Sequence, residues 1–189
     1  MAKMLNNKFT PSRIKKLRDC FYLMECGIKS GNWLLSKASL YSTSAEFDGK
    51  VYERLYYDTI ASIPTNWVSK NYLNTDDKKK YTTKDHMMKP QFGGKFLMDN
   101  PDIWLGSFEK FLEWSMRFSM VIPVTKEENT RLRVDTNYIP LEETYAYAGI
   151  QLFENSGVGY GATPYDPFKD LPEIFKKYQK EYLKKKAYD

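Results

Sequence analysis

The fold of this chain depends on one stretch, YTTKDHMMKPQFGGKFLMDNPDIW at Tyr81–Trp104. It contains His86, the only histidine among the 189 residues, directly after Asp85 and fourteen positions before Asn100. Histidine is the side chain that most often takes or gives a proton near neutral pH. The stretch is therefore the first place to look for chemistry in this chain.

The same stretch predicts a short strand and a helix start. Tyr81–Met87 is predicted to be the strand. Gln91–Asp99 fits two structures, because its apolar residues suit a helix whereas Gly93-Gly94 weakens one. Asn100-Pro101 predicts the N-cap and first turn of a further helix, whose apolar residues follow at helical spacing.

The N-terminal part of the chain is predicted to be helical. Thr10-Pro11 is typical of a helix start, and a basic helix over about 10–29 follows it. Its buried side is predicted by apolar residues at helical spacing, which are Ile14, Leu17, Phe21, Met24 and Ile28. Two further helices are predicted at Trp33–Leu40 and Ser44–Ile63, the second of which ends at Pro64.

The C-terminal part is predicted to mix strands, loops and helices. Two loops are predicted, a charged surface loop at Asn74–Lys80 and a Gly/Pro-rich loop at Ser156–Pro167. Strands are predicted at Met120–Val124 and Tyr145–Phe153. Thr125 and Glu128 have the spacing of a capping box, which predicts a short helix that continues through Arg133. Asp170 and Glu173 are predicted to cap a basic C-terminal helix over about 171–187. Together the elements predict an α+β fold, a mostly helical single domain over 1–189 with a few short strands.

Composition limits the class of protein. Hydrophobic residues make up 42% of the chain and aromatic residues 16%, which is too apolar for a disordered protein. The polar, basic start and the lack of a long apolar run predict no signal peptide, no membrane association and a cytoplasmic location, in the host cell if a phage encodes the chain. Cys20 and Cys26 are six positions apart in one predicted helix, on different faces, so we expect buried, reduced thiols rather than a disulfide.

Charge is concentrated at the two ends. Residues 1–40 carry eight Lys and Arg against two acids, and residues 176–189 carry six Lys against two acids, whereas the whole chain is only +5. Basic ends favour contact with a polyanion such as DNA, although solvated lysine faces would have the same composition. The residues predicted to bind nucleic acid are Arg13, Lys15, Lys16, Arg18, Lys184, Lys185 and Lys186.

Residues 85–109 resemble the motif of HNH endonucleases, which belong to the His-Me finger (ββα-metal) class. In that family an Asp-His pair ends a strand, a loop that often contains Gly-Gly follows, and an Asn comes about fourteen residues after the His. The resemblance implies that Asp85 binds a divalent metal, Mg²⁺ or Mn²⁺, that His86 is the general base that activates water, and that Asn100 holds the catalytic loop. Glu109 stands where the family has His or Asn, and it is the implied second metal ligand.

Each of these residues also has a structural interpretation. Asn100 before Pro101 suits an N-cap, Asp85 suits a turn cap, and Gly93-Gly94 allows two elements to pack closely. His86 also suits a hydrogen-bonded structural residue, and Glu109 suits a surface residue of an amphipathic helix. A further acidic set could bind metal but is predicted to be a solvated face; its members are Glu127, Glu128, Asp135, Glu142 and Glu143.

Two functions follow from these observations. The first is a metal-dependent DNA endonuclease, similar to the small free-standing enzymes of phage genomes, which hydrolyses phosphodiester bonds with His86 as base. The second is a non-catalytic regulator that binds nucleic acid or protein, for example a phage anti-defence factor. The residues alone leave open whether the chain is an enzyme.

Overall fold

The structure is a computed structural model that describes residues 9–30, 59–134, 140–155 and 167–186. Its α-helices are α1 (Pro11–Lys29), α2 (Lys70–Leu73), α3 (Lys78–Tyr81), α4 (Pro90–Asp99), α5 (Phe108–Ser119), α6 (Lys126–Val134), α7 (Thr144–Tyr147) and α8 (Glu173–Lys186). Its strands are β1 (Ile63–Pro64), β2 (Trp67–Ser69), β3 (Thr82–His86), β4 (Met120–Thr125) and β5 (Leu152–Glu154), and 3₁₀ turns cover Pro101–Ile103 and Leu141–Glu143. The predicted α+β class, mostly helical with a few short strands, is confirmed.

The strands form two small sheets. In the first, the order is β1-β4-β3, with β1 parallel and β3 antiparallel to β4. The register of the antiparallel pair places Asp85 opposite Ile122 and His86 opposite Val121. The second sheet pairs β2 with β5 in antiparallel fashion.

Contacts group the chain into two compact units. Unit 1 comprises Met1–Ala61 and Lys89–Ser119, and unit 2 comprises Ser62–Met88 and Met120–Asp189. The predicted single domain over 1–189 stays a prediction.

Unit 1 has an aromatic core. The helix α1 contributes Leu17, Phe21 and Met24, which are fully or almost fully buried, at the helical spacing expected from the sequence. The Phe21 ring lies 6.2 Å from Trp104, whose indole N–H donates to the Leu97 carbonyl at 2.8 Å. Because the indole donor is satisfied, the ring is buried without an unpaired polar atom.

Unit 2 is built around β4. Val121, Ile122 and Val124 are buried, as is Phe175 of α8. In α8, Gln179 is also buried; its side-chain amide donates to Glu142 and accepts from the backbone N–H of Leu141. These contacts fix which side of α8 faces the protein.

Several elements follow the sequence prediction. The N-terminal helix begins after Thr10, whose hydroxyl accepts from the Arg13 N–H at 3.3 Å. The strand predicted at Tyr81–Met87 is β3, and the one predicted at Met120–Val124 is β4. The ambiguous segment Gln91–Asp99 is helical.

Other predictions were wrong. The helix predicted at Ser44–Ile63 does not reach its predicted end, because Ile63 is in β1, paired with Met120; most of that segment lies outside the described residues. Tyr145–Phe153 is largely not a strand, since α7 and a turn take up its first half. The loop Asn74–Lys80 ends in α3.

Further details also differ from the prediction. Asp170 has a positive φ of 55° before α8 begins at Glu173, and Ile174 is 42% exposed although the pattern placed it on the buried side. Both cysteines are free, as expected, but Cys26 is exposed rather than buried. The prediction for Trp33–Leu40 lies outside the described residues, as does the prediction for Ser156–Pro167 except at Pro167 itself. No helix among the described residues is both long and apolar enough to cross a membrane.

Candidate functional site

Asp85 lies near the end of β3 and is bonded to a buried tyrosine. The Tyr145 hydroxyl donates to Asp85 Oδ2 at 2.5 Å, and Tyr145 is only 5% exposed. Burial, and then the charge and hydrogen bond of Asp85, raise the pKa of Tyr145 well above its usual value. The phenol is therefore held in its protonated form as a donor to Asp85.

His86 follows Asp85 but has different neighbours. Successive side chains of a strand point to opposite faces, so His86 lies on the face of β3 opposite to the one where Asp85 meets Tyr145. His86 is half-buried and has interactions within the described chain. The Asp-His pair does end a strand, as the resemblance implies, but its carboxylate is directed to the tyrosine.

Asn100 ends α4 and also occupies the N-cap position of the 3₁₀ turn Pro101–Ile103. Its backbone N–H and its side-chain amide both donate to the Phe96 carbonyl, at 3.0 and 2.9 Å. No side-chain cap bond from Asn100 reaches the following 3₁₀ turn. The predicted N-cap position at Asn100 is therefore confirmed for a 3₁₀ turn rather than for an α-helix, but its side chain does not cap that turn, because it bonds the carboxyl end of α4.

Gly93 and Gly94 lie inside α4 rather than in a loop. A Cβ atom at Gly93 would lie 2.5 Å from the Phe118 ring, far inside van der Waals contact. The structural interpretation of Gly93, close packing of two elements, is confirmed for α4 against α5.

The predicted metal ligands do not fit a metal site within either unit. Asp85 and His86 belong to unit 2, whereas Asn100 and Glu109 belong to unit 1. Glu109 is exposed, and its carboxylate accepts from the Ser107 hydroxyl at 3.2 Å. Among the described residues no group of three or more His, Cys, Asp or Glu could hold a metal ion. Dependence on Mg²⁺ or Mn²⁺ stays a prediction of the resemblance.

The prediction that Glu128 is solvent-exposed was wrong. The residue is 1% exposed, although it was predicted to belong to a solvated acidic face. Its carboxylate accepts from the Ser69 hydroxyl at 2.6 Å, the Asn71 amide at 2.9 Å and the Thr125 N–H at 2.8 Å. The Glu128 N–H in turn donates to the Thr125 hydroxyl, so the predicted capping box is confirmed.

The other members of the acidic set agree with the prediction where they are described. Glu127, Glu142 and Glu143 are exposed, and Asp135 lies outside the described residues. Glu128 differs from them because β2 and α2 bring Ser69 and Asn71 against it.

The predicted cations of α1 are largely engaged by the protein itself. The half-buried Arg13 donates from Nη2 to the Ile60 carbonyl at 2.7 Å. The Lys15 ammonium lies 2.9 Å from Asp19, and the Arg18 guanidinium lies 4.9 Å from the centre of the Phe108 ring. Lys16 is exposed and also has an interaction within the chain.

The lysines of α8 are arranged differently. Lys177, Lys180 and Lys184 are exposed, and at about 100° per residue they fall within an arc of about 60°, opposite Phe175. We call these three residues the lysine face. Within the part of the chain that the structure describes, their ammonium groups make no hydrogen bond or ion pair.

Of the lysine face, only Lys184 is among the residues predicted individually from the sequence to bind nucleic acid. The side chains of Lys185 and Lys186, for which the same prediction is made, lie outside the described residues. Lys177, Lys180 and Lys184 are spaced at i, i+3 and i+7, and this spacing predicts from the sequence that they share one side of a helix.

The chain matches no protein-family model, no curated protein and no solved structure. The resemblance of residues 85–109 to HNH endonucleases is therefore neither confirmed nor contradicted by comparison.

Proposed function

We propose that this chain binds nucleic acid through the lysine face of α8 and does not cleave it. The observation that carries the proposal is the alignment of Lys177, Lys180 and Lys184 on the solvent side of α8, with no partner for their charges among the described residues. The opposite side of the helix is anchored by Phe175 and Gln179. The three cations are thus presented on a helix whose orientation within unit 2 is fixed.

The spacing suits a phosphate backbone. Lys177 and Lys184 are seven residues apart, which is about 10.5 Å along a helix axis. A strand of duplex DNA presents one phosphate about every 3.4 Å of its axis. Three ammonium groups over that length therefore lie within the span of about four successive phosphates, without any requirement for sequence.

Binding without cleavage is supported by the roles of the motif residues. Asp85 accepts from Tyr145, Asn100 caps α4, and Gly93 packs against Phe118. Each residue thus has a structural reason to be present that does not involve hydrolysis.

A metal-dependent endonuclease is the second candidate. It is favoured by one observation, namely that Asp85 and His86 end the strand β3 as the family pattern requires. In that case His86 would be the general base, since it is the only histidine of the chain.

One experiment separates the two candidates. A labelled DNA duplex is incubated with the protein at 50 mM salt, with Mg²⁺, Mn²⁺ or EDTA, and is then run on native and denaturing gels. We expect a shifted band on the native gel and intact DNA on the denaturing gel under all three conditions. Affinity should fall steeply as the salt concentration rises to 200 mM.

Two results would overturn the proposal. Cleavage that needs Mg²⁺ or Mn²⁺, and that His86→Ala slows by about 10²–10⁴-fold, would favour the endonuclease. No binding at 50 mM salt would exclude both nucleic-acid functions and favour a regulator that binds protein.

A further inference from the structure

A second basic surface of unit 2 combines lysines with an exposed aromatic ring. It consists of Lys78, Lys79, Lys80 and Tyr81 in α3 and Lys84 in β3, and we call it the tyrosine–lysine surface. The lysines and Tyr81 are all exposed, Tyr81 by 51%. Most of this segment belongs to Asn74–Lys80, which is predicted from the sequence to be a charged surface loop.

The segment is held in place at both ends. Asp77 caps α3, because its carboxylate accepts from the Lys80 N–H at 3.0 Å. The Thr82 hydroxyl donates back to the Lys78 carbonyl, and β3 then pairs with β4. The backbone that carries Tyr81 is thus fixed between a capped turn and a strand.

The ring of Tyr81 has a cation over one face, so a base would stack on the other. The Lys80 ammonium lies 4.7 Å from the ring centre, which is the geometry of a cation–π contact. About half of the tyrosine surface remains exposed, which leaves room for a planar ring against it. An ammonium beside a stacked base is also well placed to meet the phosphate of the same nucleotide.

The charge of the surface favours an anion. Four lysines face two acids, Asp76 and Asp77, between residues 76 and 84. Lys78 donates to the Thr75 carbonyl at 3.0 Å. Lys79 and Lys84 make no hydrogen bond or ion pair with the described residues, so their charges are available.

We infer that the tyrosine–lysine surface binds single-stranded nucleic acid, with one base stacked on Tyr81 and phosphates near Lys79 and Lys84. The inference rests on the proposed function and adds the class of nucleic acid. Bases in a duplex are stacked on both sides, so an exposed ring reaches them only in a single strand. The lysine face of α8 has no such requirement, because it meets phosphates alone.

The test measures fluorescence anisotropy with two probes, a labelled deoxythymidine strand of about 15 nucleotides and a labelled duplex of the same length. Removal of a stacking ring should weaken binding of the single strand by about 5- to 150-fold in Tyr81→Ala. The duplex should bind the variant within about 2-fold of the parent, since its bases are already stacked.

Two variants serve as controls for the ring. Tyr147 in α7 is also exposed, by 63%, but it is not part of the tyrosine–lysine surface, and it follows the exposed acids Glu142 and Glu143 in sequence. Tyr147→Ala should therefore bind the single strand as the parent does. Tyr81→Phe keeps the ring and should retain the affinity of the parent. The double variant Lys79→Gln and Lys84→Gln should flatten the slope of log affinity against log salt for the single strand by about 1.4, at about 0.7 for each phosphate contact.

The outcomes are distinguishable from failure of the proposed function. If the parent binds the duplex but Tyr81→Ala binds the single strand as tightly as the parent does, the inference is wrong and the proposed function stands. If the parent binds neither probe, the proposed function itself fails. Displacement of the single strand by poly-glutamate of equal length and concentration would overturn the inference in favour of an acidic peptide.

Discussion

The two basic helices α1 and α8 carry similar charge in the sequence and use it differently. In α1, Arg13 donates to the Ile60 carbonyl, Lys15 pairs with Asp19, and Arg18 lies over Phe108. In α8, Lys177, Lys180 and Lys184 face solvent together. A lysine or arginine side chain is most available to a binding partner where it has no hydrogen bond, ion pair or ring contact within the protein.

The same contrast holds for the carboxylates of α6. Glu127 and Glu128 are neighbours in sequence, but the first is exposed and the second is buried with three donors around its carboxylate. Substitutions of Glu128 and Arg13 should change stability, substitutions of the exposed lysines of α8 should change binding, and substitution of Glu127 should change stability little. The predictions below test that division.

The largest effect is expected at Glu128. Glu128→Ala should lower the free energy of unfolding by about 2–4 kcal/mol, because it removes a helix cap and leaves three donors without their acceptor: the buried Ser69 hydroxyl, the Thr125 N–H and the exposed Asn71 amide. Urea denaturation measures the change. The matched control Glu127→Ala should stay within about 0.5 kcal/mol of the parent, since that side chain is exposed. Equal effects at the two positions would contradict the contrast.

The buried pair of Tyr145 and Asp85 should give a pH-dependent effect. Tyr145→Phe should cost about 1.5–3 kcal/mol near pH 7, because it removes a hydrogen bond to a charged acceptor. The pKa of Tyr145 is raised in the folded state, so its contribution is complete below pH about 10 and is lost as the pH rises toward the folded-state pKa.

The difference in free energy of unfolding between the parent and Tyr145→Phe should therefore shrink above pH 10, by up to about 1.4 kcal/mol per pH unit. Denaturation of both proteins at pH 8 and pH 11 measures it. A difference that stays constant between these values would mean that Tyr145 ionises equally easily in the folded and unfolded chains.

A smaller effect is expected at Arg13. Arg13→Lys keeps the charge but not the geometry of the bond to the Ile60 carbonyl, so it should cost about 1–2 kcal/mol of stability. The salt dependence of DNA binding should not change. Lys15→Gln is the control, because its exposed pair with Asp19 contributes at most about 1 kcal/mol. A stability of Arg13→Lys equal to that of the parent would contradict the role of the bond to the Ile60 carbonyl.

Local signals in the sequence predicted the elements whose structure is set locally. The helical spacing of Leu17, Phe21 and Met24 fixed the buried side of α1, and Thr125 with Glu128 fixed the start of α6. Both signals act over three or four residues, so no knowledge of the tertiary structure is needed.

The rest depended on contacts between distant residues. Glu128 is buried because Ser69 and Asn71, 59 and 57 positions away, donate to it, and Asp85 is bonded to Tyr145 across 60 positions. Ile63 is a strand residue because it pairs with Met120. The candidate catalytic site is predicted from residue types and their spacing. Spacing does not show whether a carboxylate is already hydrogen-bonded within the protein.

The most direct test of the account compares the salt dependence of DNA binding in two triple variants. Lys177→Gln, Lys180→Gln and Lys184→Gln together should flatten the slope of log affinity against log salt by about 2.7, at about 0.9 for each phosphate contact. Lys15→Gln, Lys16→Gln and Arg18→Gln together should flatten it by less than about 1, because these cations have partners within the chain. An unchanged slope in the α8 variant, or a larger change in the α1 variant, would contradict the account.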